Sequence, residues 1–559
     1  MVRCLLIAIV CACAWGCVPG APGVPATPTG HPEPEETAPD PCEGIEDVPP
    51  TQLSRLTPIQ YANSLVDLSE GAIAPPQLPA QISSYITELE VEAISQTSHD
   101  LVARGLHRAF IPCDPAAVDT ASQDACAAGF IDAFGLRLFR RPVAPDERET
   151  LLGYYQRIGT DPDISPPPSF DERIAAVAEV MLASPQFLYV HDEGLPSDGP
   201  LRRTTGYERA AKLSLFLFDR APDEALLALA AEGALDDDEG LRAQAEKMVL
   251  DPRARPVLRR FAAAWLGLEA SGSSPSLEDR AKSAASFPFD SPELRWAMRE
   301  EVESLYERVV ADGDARFESL FTTADAKVTP ALAELYGTGW ANGWTTLDGR
   351  RRAGILTRAA FLAQFAGPEV TSPIRRGAHL YRNVLGLPLG DPPPGANLTP
   401  PRPGGEEILT TREAAEARTS NPACQACHGF FNPLGFAFEH YDAMGRWRDV
   451  ELVPTADGDV VELPVSSRTE QRAPGLEGTD EDAVALSARI GQSAVAHDAH
   501  ATRWFKTLVG RPIAAEDACT LKRIRSRFLD TGDLRALLVD VATSPPTRWV
   551  RPQPEEESP

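Results

Sequence analysis

The chain has 559 residues, with 81 Asp and Glu against 53 Lys and Arg and a formal net charge of -28 at neutral pH. Acidity spread in this way repels phosphate backbones and excludes nucleic acid as a partner, while the length admits about three or four domains. The charge serves solubility first, and an acidic face also suits a basic redox partner protein.

Residues 1–17, MVRCLLIAIVCACAWGC, carry Arg3, an apolar run from Leu5 to Val10 and small residues leading to Cys17. That run is too short to cross a bilayer and reads as an export signal. Ala14-Trp15-Gly16-Cys17 is similar to a lipoprotein processing box, although Ala14 replaces the usual Leu. Cys17 is therefore the expected lipidated residue, giving a membrane partner through a lipid anchor and a periplasmic or outer-membrane location in a bacterium. Plain cleavage of the signal is the alternative. No later stretch approaches the roughly 18 consecutive apolar residues of a membrane span. Residues 18–50, rich in Pro, Gly, Thr and Glu, are expected to form a disordered tether.

Beyond the tether the pattern predicts a mostly α, multidomain protein with little strand. The expected division is an N-terminal helical domain over 51–110, helical domains over 111–165, 166–285 and 286–395, a small module with a Cys-x-x-Cys-His motif over 396–465, a C-terminal helical domain over 466–552 and a tail over 553–559. RLTPIQYANSLVDL (55–68) opens on Thr57-Pro58, a cap followed by proline in the first turn. KLSLFLF (212–218) is apolar nearly all round and predicts a central buried helix. A helix with acidic caps at Asp236 to Asp238 stops at Asp251-Pro252. Val257, Phe261, Ala264, Trp265 and Leu268, and then Met298, Val302, Leu305, Tyr306 and Val309, recur at helical spacing and read as core stripes. RLFRRPVAPDERETLLGYY (137–155) and TLVGRPIAAEDACTLKRI (507–524) each run from a helix through Arg-Pro into an acidic helix start, one kind of corner used twice.

Cysteine usage points to an oxidising compartment. Cys113 and Cys126 close a short loop before a helix and are the first candidate disulfide, worth about 3 kcal/mol from loop entropy. Cys42 and Cys519 are left as candidates for a long-range pair.

Cys424-Gln425-Ala426-Cys427-His428 carries the chemistry. Cys-x-x-Cys-His is the local pattern of a c-type haem: each thiol adds across a vinyl group and the histidine ligates the iron. Five residues also allow a redox dithiol, half a zinc site or a structural disulfide. Pro392-Pro393-Pro394 makes a stiff lead into this module. No serine-nucleophile elbow, phosphate loop, dinucleotide fingerprint or HExxH motif is present.

These stretches, together with FGLRLFRRPVAPDE, LASPQFLYVHDE, ERAAKLSLFLFDRAPDEALL, RAGILTRAAFLA, SPIRRGAHLYRNVLGLPL and CQACHGFFNPLGFAFEHYDAMGRWR, give the chain its resemblance. It resembles the large exported bacterial proteins built from consecutive domains of unknown function and associated with planctomycete-type cytochromes c. The resemblance implies covalent haem c on Cys424 and Cys427, with His428 as proximal iron ligand. It implies no settled activity. Asn432-Pro433-Leu434-Gly435-Phe436 stands where relatives have Asp-Pro-x-Gly-Phe, so Asn432 is a departure that weakens an expected outer contact. Relatives have a histidine where this chain has Ala417, which removes a distal ligand there. They also pair the cysteine at Cys519 with one about twenty residues earlier; none stands there, and Cys42 is the substitute candidate.

The sixth iron ligand is open between Met444, His440 and neither; FEHYDAMG would place the two on one helix, four residues apart. Arg375 and Arg376 are candidates for a haem propionate, with an ordinary surface pair as the alternative. His99, His107, His191, His379, His497 and His500 read as surface or satisfied core histidines. Three functions follow: electron transfer or the haem module of a surface complex, a peroxidase-like or oxidase-like haem enzyme with an open distal face, and a scaffold in which the motif holds zinc or a disulfide.

Overall fold

The computed structural model describes residues 42, 44, 46–71, 74, 87–114, 119–272, 274–340, 343–392, 394–395, 408–455 and 457–553. The expected signal, Cys17 and nearly all of the tether lie outside them. The described chain is mostly helical, and its strands are short antiparallel pairs.

The first helix begins where the sequence places it. Thr57 caps α1 (Pro58–Leu68) and accepts from the Gln60 N–H, while the Gln60 side chain accepts from the Thr57 N–H. That reciprocal box satisfies two orphan donors at once. A two-residue strand, β1 (Ser54–Arg55), leads into it and pairs antiparallel with β2 (Tyr189–Val190). Between them run α2 (Glu88–Ala103), α3 (Thr120–Phe139), α4 (Pro145–Thr160) and α5 (Phe170–Leu182). Their inward residues, among them Leu65, Phe130, Phe134 and Ile174, form a first hydrophobic core. Cys113 and Cys126 are bonded as expected, with their Cα atoms 6.0 Å apart. Cys42 and Cys519 are each disulfide-bonded as well.

From Glu46 onward the chain is one compact unit with a second, larger core. α6 (Gly206–Phe218) is the wall between the two: Leu215 packs into the first core, and Leu213, Phe216, Leu217 and Phe218 pack into the second. A helix shared by two cores has no side to give to solvent, which is why it is apolar all round. α7 (Asp238–Val249), α8 (Arg255–Trp265) and α9 (Pro292–Glu307) follow. The stripe on α9 is buried as predicted, through to Val309 in the turn beyond it. The stripe on α8 needs correction, because Ala264 is exposed and Leu268 lies past the helix end. Gly267, at φ +65°, turns the chain so that the Leu268 N–H returns to the Ala263 carbonyl at 2.9 Å, and this cap carries Leu268 into the core.

The repeated corner is real down to its hydrogen bonds. Between α3 and α4, Arg141 Nη1 donates to the Pro142 carbonyl (3.0 Å) and the guanidinium grips Glu147 at 2.8 Å, which also accepts from the Ala144 N–H. α10 (Ala494–Val509) leads through a short 3₁₀ turn into α11 (Ala518–Thr531), and there Arg511 donates to the Pro512 carbonyl (3.0 Å) and grips Asp517, which accepts from the Ala514 N–H. The likeness extends outward. After α12 (Leu534–Ala542), β4 (Trp549–Val550) pairs with β3 (Arg202–Arg203), which feeds α6 through a Thr205–Glu208 capping box. Arg55 faces Tyr189 and Ser54 faces Val190; Arg203 faces Trp549 and Arg202 faces Val550. One strand, helix and corner arrangement therefore occurs twice, and in the second copy residues 219–493, with Cys424 to His428 among them, fall in sequence between α6 and α10.

Candidate functional site

Three further elements position the motif: α13 (Pro373–His379), α14 (Thr411–Arg418) and α15 (Pro422–Phe436). Asn421 caps α15, its side chain accepting from the Ala423 N–H, and Pro422 occupies the first helical position. Cys424, Cys427 and His428 therefore stand on the opening turns. At about 100° per residue they share an arc about 100° wide on one face. Both thiols are unpaired; Cys424 is half-buried and Cys427 exposed.

The far end of α15 is fixed by close approach. A Cβ on Gly435 would stand 1.9 Å from the Pro373 carbonyl oxygen, and one on Gly377 would stand 2.0 Å from the Phe431 carbonyl oxygen. α13 and α15 thus cross backbone to backbone, which only glycine permits. Pro433, inside α15, withdraws one N–H from the ladder, and its own carbonyl accepts from Gln471 Nε2 at 3.4 Å.

His428 has a defined environment. Its ring lies 4.6 Å from that of Phe431, and its Nδ1 is 3.0 Å from Asn432 Oδ1. The Asn432 amide nitrogen donates to Thr419 Oγ1 at 3.0 Å, and the Thr419 hydroxyl donates to the Ala415 carbonyl at 2.8 Å. Thr419 and Asn432 are both buried. Asn432, the departure noted in the sequence, is thus the side chain that contacts His428 Nδ1. An asparagine four residues after a histidine on one helix face is a signal that could have found it. Thr419 sits thirteen positions away in sequence, and no pattern pointed to it.

A buried ionic network lies behind the motif. Arg376 reaches the Gly435 carbonyl at 3.4 Å and Glu439 at 3.3 Å, and Arg448 bonds both Glu439 (3.2 Å) and Glu451 (3.1 Å). Thr371 donates to Glu439, and Thr411, at the start of α14, donates to Glu451. Burial pushes the Glu439 carboxyl up, and the two arginines oppose it. Of the pair expected to meet a propionate, Arg376 is wholly buried and engaged in this network, and Arg375 is exposed.

The two candidate axial ligands are not on a helix. α15 ends at Phe436, and turns follow through His440, so the expected four-residue helical spacing does not occur. Met444 has no exposed surface and belongs to the larger core. His440 stacks on Trp447 with ring centres 4.7 Å apart, and its Nδ1 lies 2.9 Å from the Arg448 carbonyl. Ala417 is exposed on α14. The remaining histidines are as expected: His99 and His191 are exposed, and His107, His379, His497 and His500 each have a partner in or beside the core. Among the described residues no three or more His, Cys, Asp and Glu side chains converge as a metal cage.

Comparison with known families finds three matches in succession. Residues 126–192 match a "Protein of unknown function (DUF1595)", 204–338 a "Protein of unknown function (DUF1592)", and 352–451 a "Protein of unknown function (DUF1588)". The last of these, also designated PSCyt3, contains Cys424 to His428. No curated protein and no solved structure matches the chain.

Proposed function

From a chain that belongs to the planctomycete cytochrome-c-type family, defined by these three consecutive domains of unknown function, we propose an exported protein with one covalent haem c that acts in electron transfer. The observation that carries this reading is a contrast among cysteines. Cys113, Cys126, Cys42 and Cys519 are disulfide-bonded, whereas Cys424 and Cys427 keep unpaired thiols one helical turn apart beside a histidine. The residues fit the group. Two thiols on one helix face can take the two thioether bonds, and a neighbouring imidazole can ligate iron. Haem would supply reversible one-electron chemistry; the chain supplies attachment, a proximal nitrogen and a rigid backing.

The disulfides support export, because such bonds persist outside the cytoplasm. Among the described residues no helix is long and apolar enough to cross a membrane. The burial of Met444 and the stacking of His440 favour a second reading, in which the distal face is open and the protein is a haem enzyme. Carbon monoxide binding to the reduced protein separates the two. The proposal itself is tested by mass: after expression with a c-type maturation system, the denatured chain should carry one haem, and the Cys424→Ser, Cys427→Ser double variant none. A denatured chain of unmodified mass overturns it.

A further inference from the structure

We propose that Thr419 and Asn432 are positioning residues that lock His428 in its Nδ1–H tautomer, leaving the lone pair on Nε2 and giving the imidazole a neutral partner. The argument starts from the one hydroxyl hydrogen of Thr419. A carbonyl cannot donate, so at 2.8 Å from the Ala415 oxygen that hydrogen is committed to it. Thr419 Oγ1 can then only accept, and the Asn432 atom 3.0 Å away must be the amide nitrogen. The other end of the amide, Oδ1, faces His428 Nδ1 at 3.0 Å and can only accept, so Nδ1 carries the proton. One neutral imidazole proton on Nδ1 leaves Nε2 with its lone pair.

The order of donors is thus imposed from the end of α14, through a buried threonine and a buried asparagine, onto a side chain of α15. Burial makes the arrangement hard to reverse. Flipping the amide would set the Asn432 oxygen against a threonine oxygen with no hydrogen left to share, losing a hydrogen bond between two buried side chains. The selected tautomer is the one a metal needs, because an outer partner on one ring nitrogen fixes which nitrogen binds.

The second part rests on the haem reading. A carboxylate facing Nδ1 draws the proton away and makes the imidazole a stronger electron donor to iron, which stabilises the oxidised state. The amide of Asn432 does this weakly, so the chain holds its iron at a higher potential than a carboxylate there would allow.

The test has two arms. In the full-length chain made without haem maturation and labelled with ¹⁵N-histidine, the signals of His428, identified by their loss in His428→Gln, should show a protonated Nδ1 and an unprotonated Nε2. Thr419→Val should mix the tautomers and Thr419→Ser should restore the wild-type pattern. A protonated Nε2 in the wild type, or a Thr419→Val spectrum identical to it, overturns the lock. In the matured protein, Asn432→Asp should favour the oxidised form on the order of tenfold. That is a fall in midpoint potential of about 59 mV for a one-electron couple. An unchanged potential overturns the second part. A chain that takes up no haem sinks the functional reading, and the nitrogen spectrum still decides the lock.

Discussion

Gly435 and Pro373 touch through their backbones, leaving no room for a side chain: a Cβ at Gly435 would stand 1.9 Å from the Pro373 carbonyl oxygen. This contact, and its counterpart between Gly377 and Phe431, set how the motif-bearing helix lies on α13. Gly435→Ala should therefore destabilise the protein by about 3 kcal/mol or more, since backbone cannot step aside as a rotamer can. Gly429→Ala is the control on the same helix. Its Cβ would meet only the Gln425 side-chain oxygen, at 3.3 Å, and alanine should gain up to about 1 kcal/mol in helix propensity. Thermal unfolding of the two variants checks the opposite signs.

The two copies of the helical corner make a second contrast. Arg140 and Gly510 occupy the same place, both in the left-handed region, at φ +65° and +63°. Glycine suits that conformation, yet the Arg140 guanidinium donates to the carbonyls of Leu138, Gln186, Phe187 and Tyr189. Arg140→Gly relieves the backbone and orphans those carbonyls, each worth about 1 kcal/mol or more when buried, so it should destabilise. Gly510→Ala should cost only about 1–2 kcal/mol. Urea midpoints rank the pair.

Lys282 gives a prediction in pH. Its ammonium is buried and donates to the carbonyls of Ala363 and Gly367, with burial pushing its pKa down to about 7 from 10.5. The folded state then binds fewer protons than the unfolded state between those two values, so this residue's contribution to stability rises with pH across the window. Below pH 7 the cost of burying its charge is fully present. Lys282→Met removes the slope, so the stability difference between wild type and variant should shift toward the wild type by a few kcal/mol from about pH 7 to 10. Chemical denaturation at several pH values measures it, and a parallel pair of curves contradicts it.

Glu147 gives the opposite sign. Its hydrogen bonds to Arg141 hold its carboxyl below the ordinary value of 4.5. The stabilisation is complete above that value and disappears as pH falls through the lower, folded one. Glu147→Gln should flatten the acid limb of the stability curve below about pH 4.5 and leave the limb above pH 7 unchanged.

What the sequence disclosed follows from the range of the interactions involved. The cap at Thr57, the stripe from Met298 to Val309 and the twin Arg-Pro corners rest on neighbours a few residues apart, so their patterns are visible in one dimension. The all-apolar α6 was legible as buried, but that it separates two cores was not. The region after the motif misled. FEHYDAMG has helical composition, yet Glu439 is drawn into a buried network with Arg376 and Arg448, and the chain turns to deliver it. The same turn sends Met444 into the core. Arg376, adjacent in sequence to exposed Arg375, faces inward because the α13–α15 crossing closes over it. The Asn432–His428 spacing was there to be read, but the bond from Asn432 to Thr419 was not, since Thr419 lies outside that helix.

The most direct measurement is an absorption spectrum of the purified protein after co-expression with a c-type maturation system. The account predicts a haemochrome spectrum at one haem per chain that survives denaturation, and its loss when Cys424 and Cys427 are both changed to serine. A folded protein that is colourless and iron-free, or a haemochrome spectrum unaltered in the double variant, contradicts it.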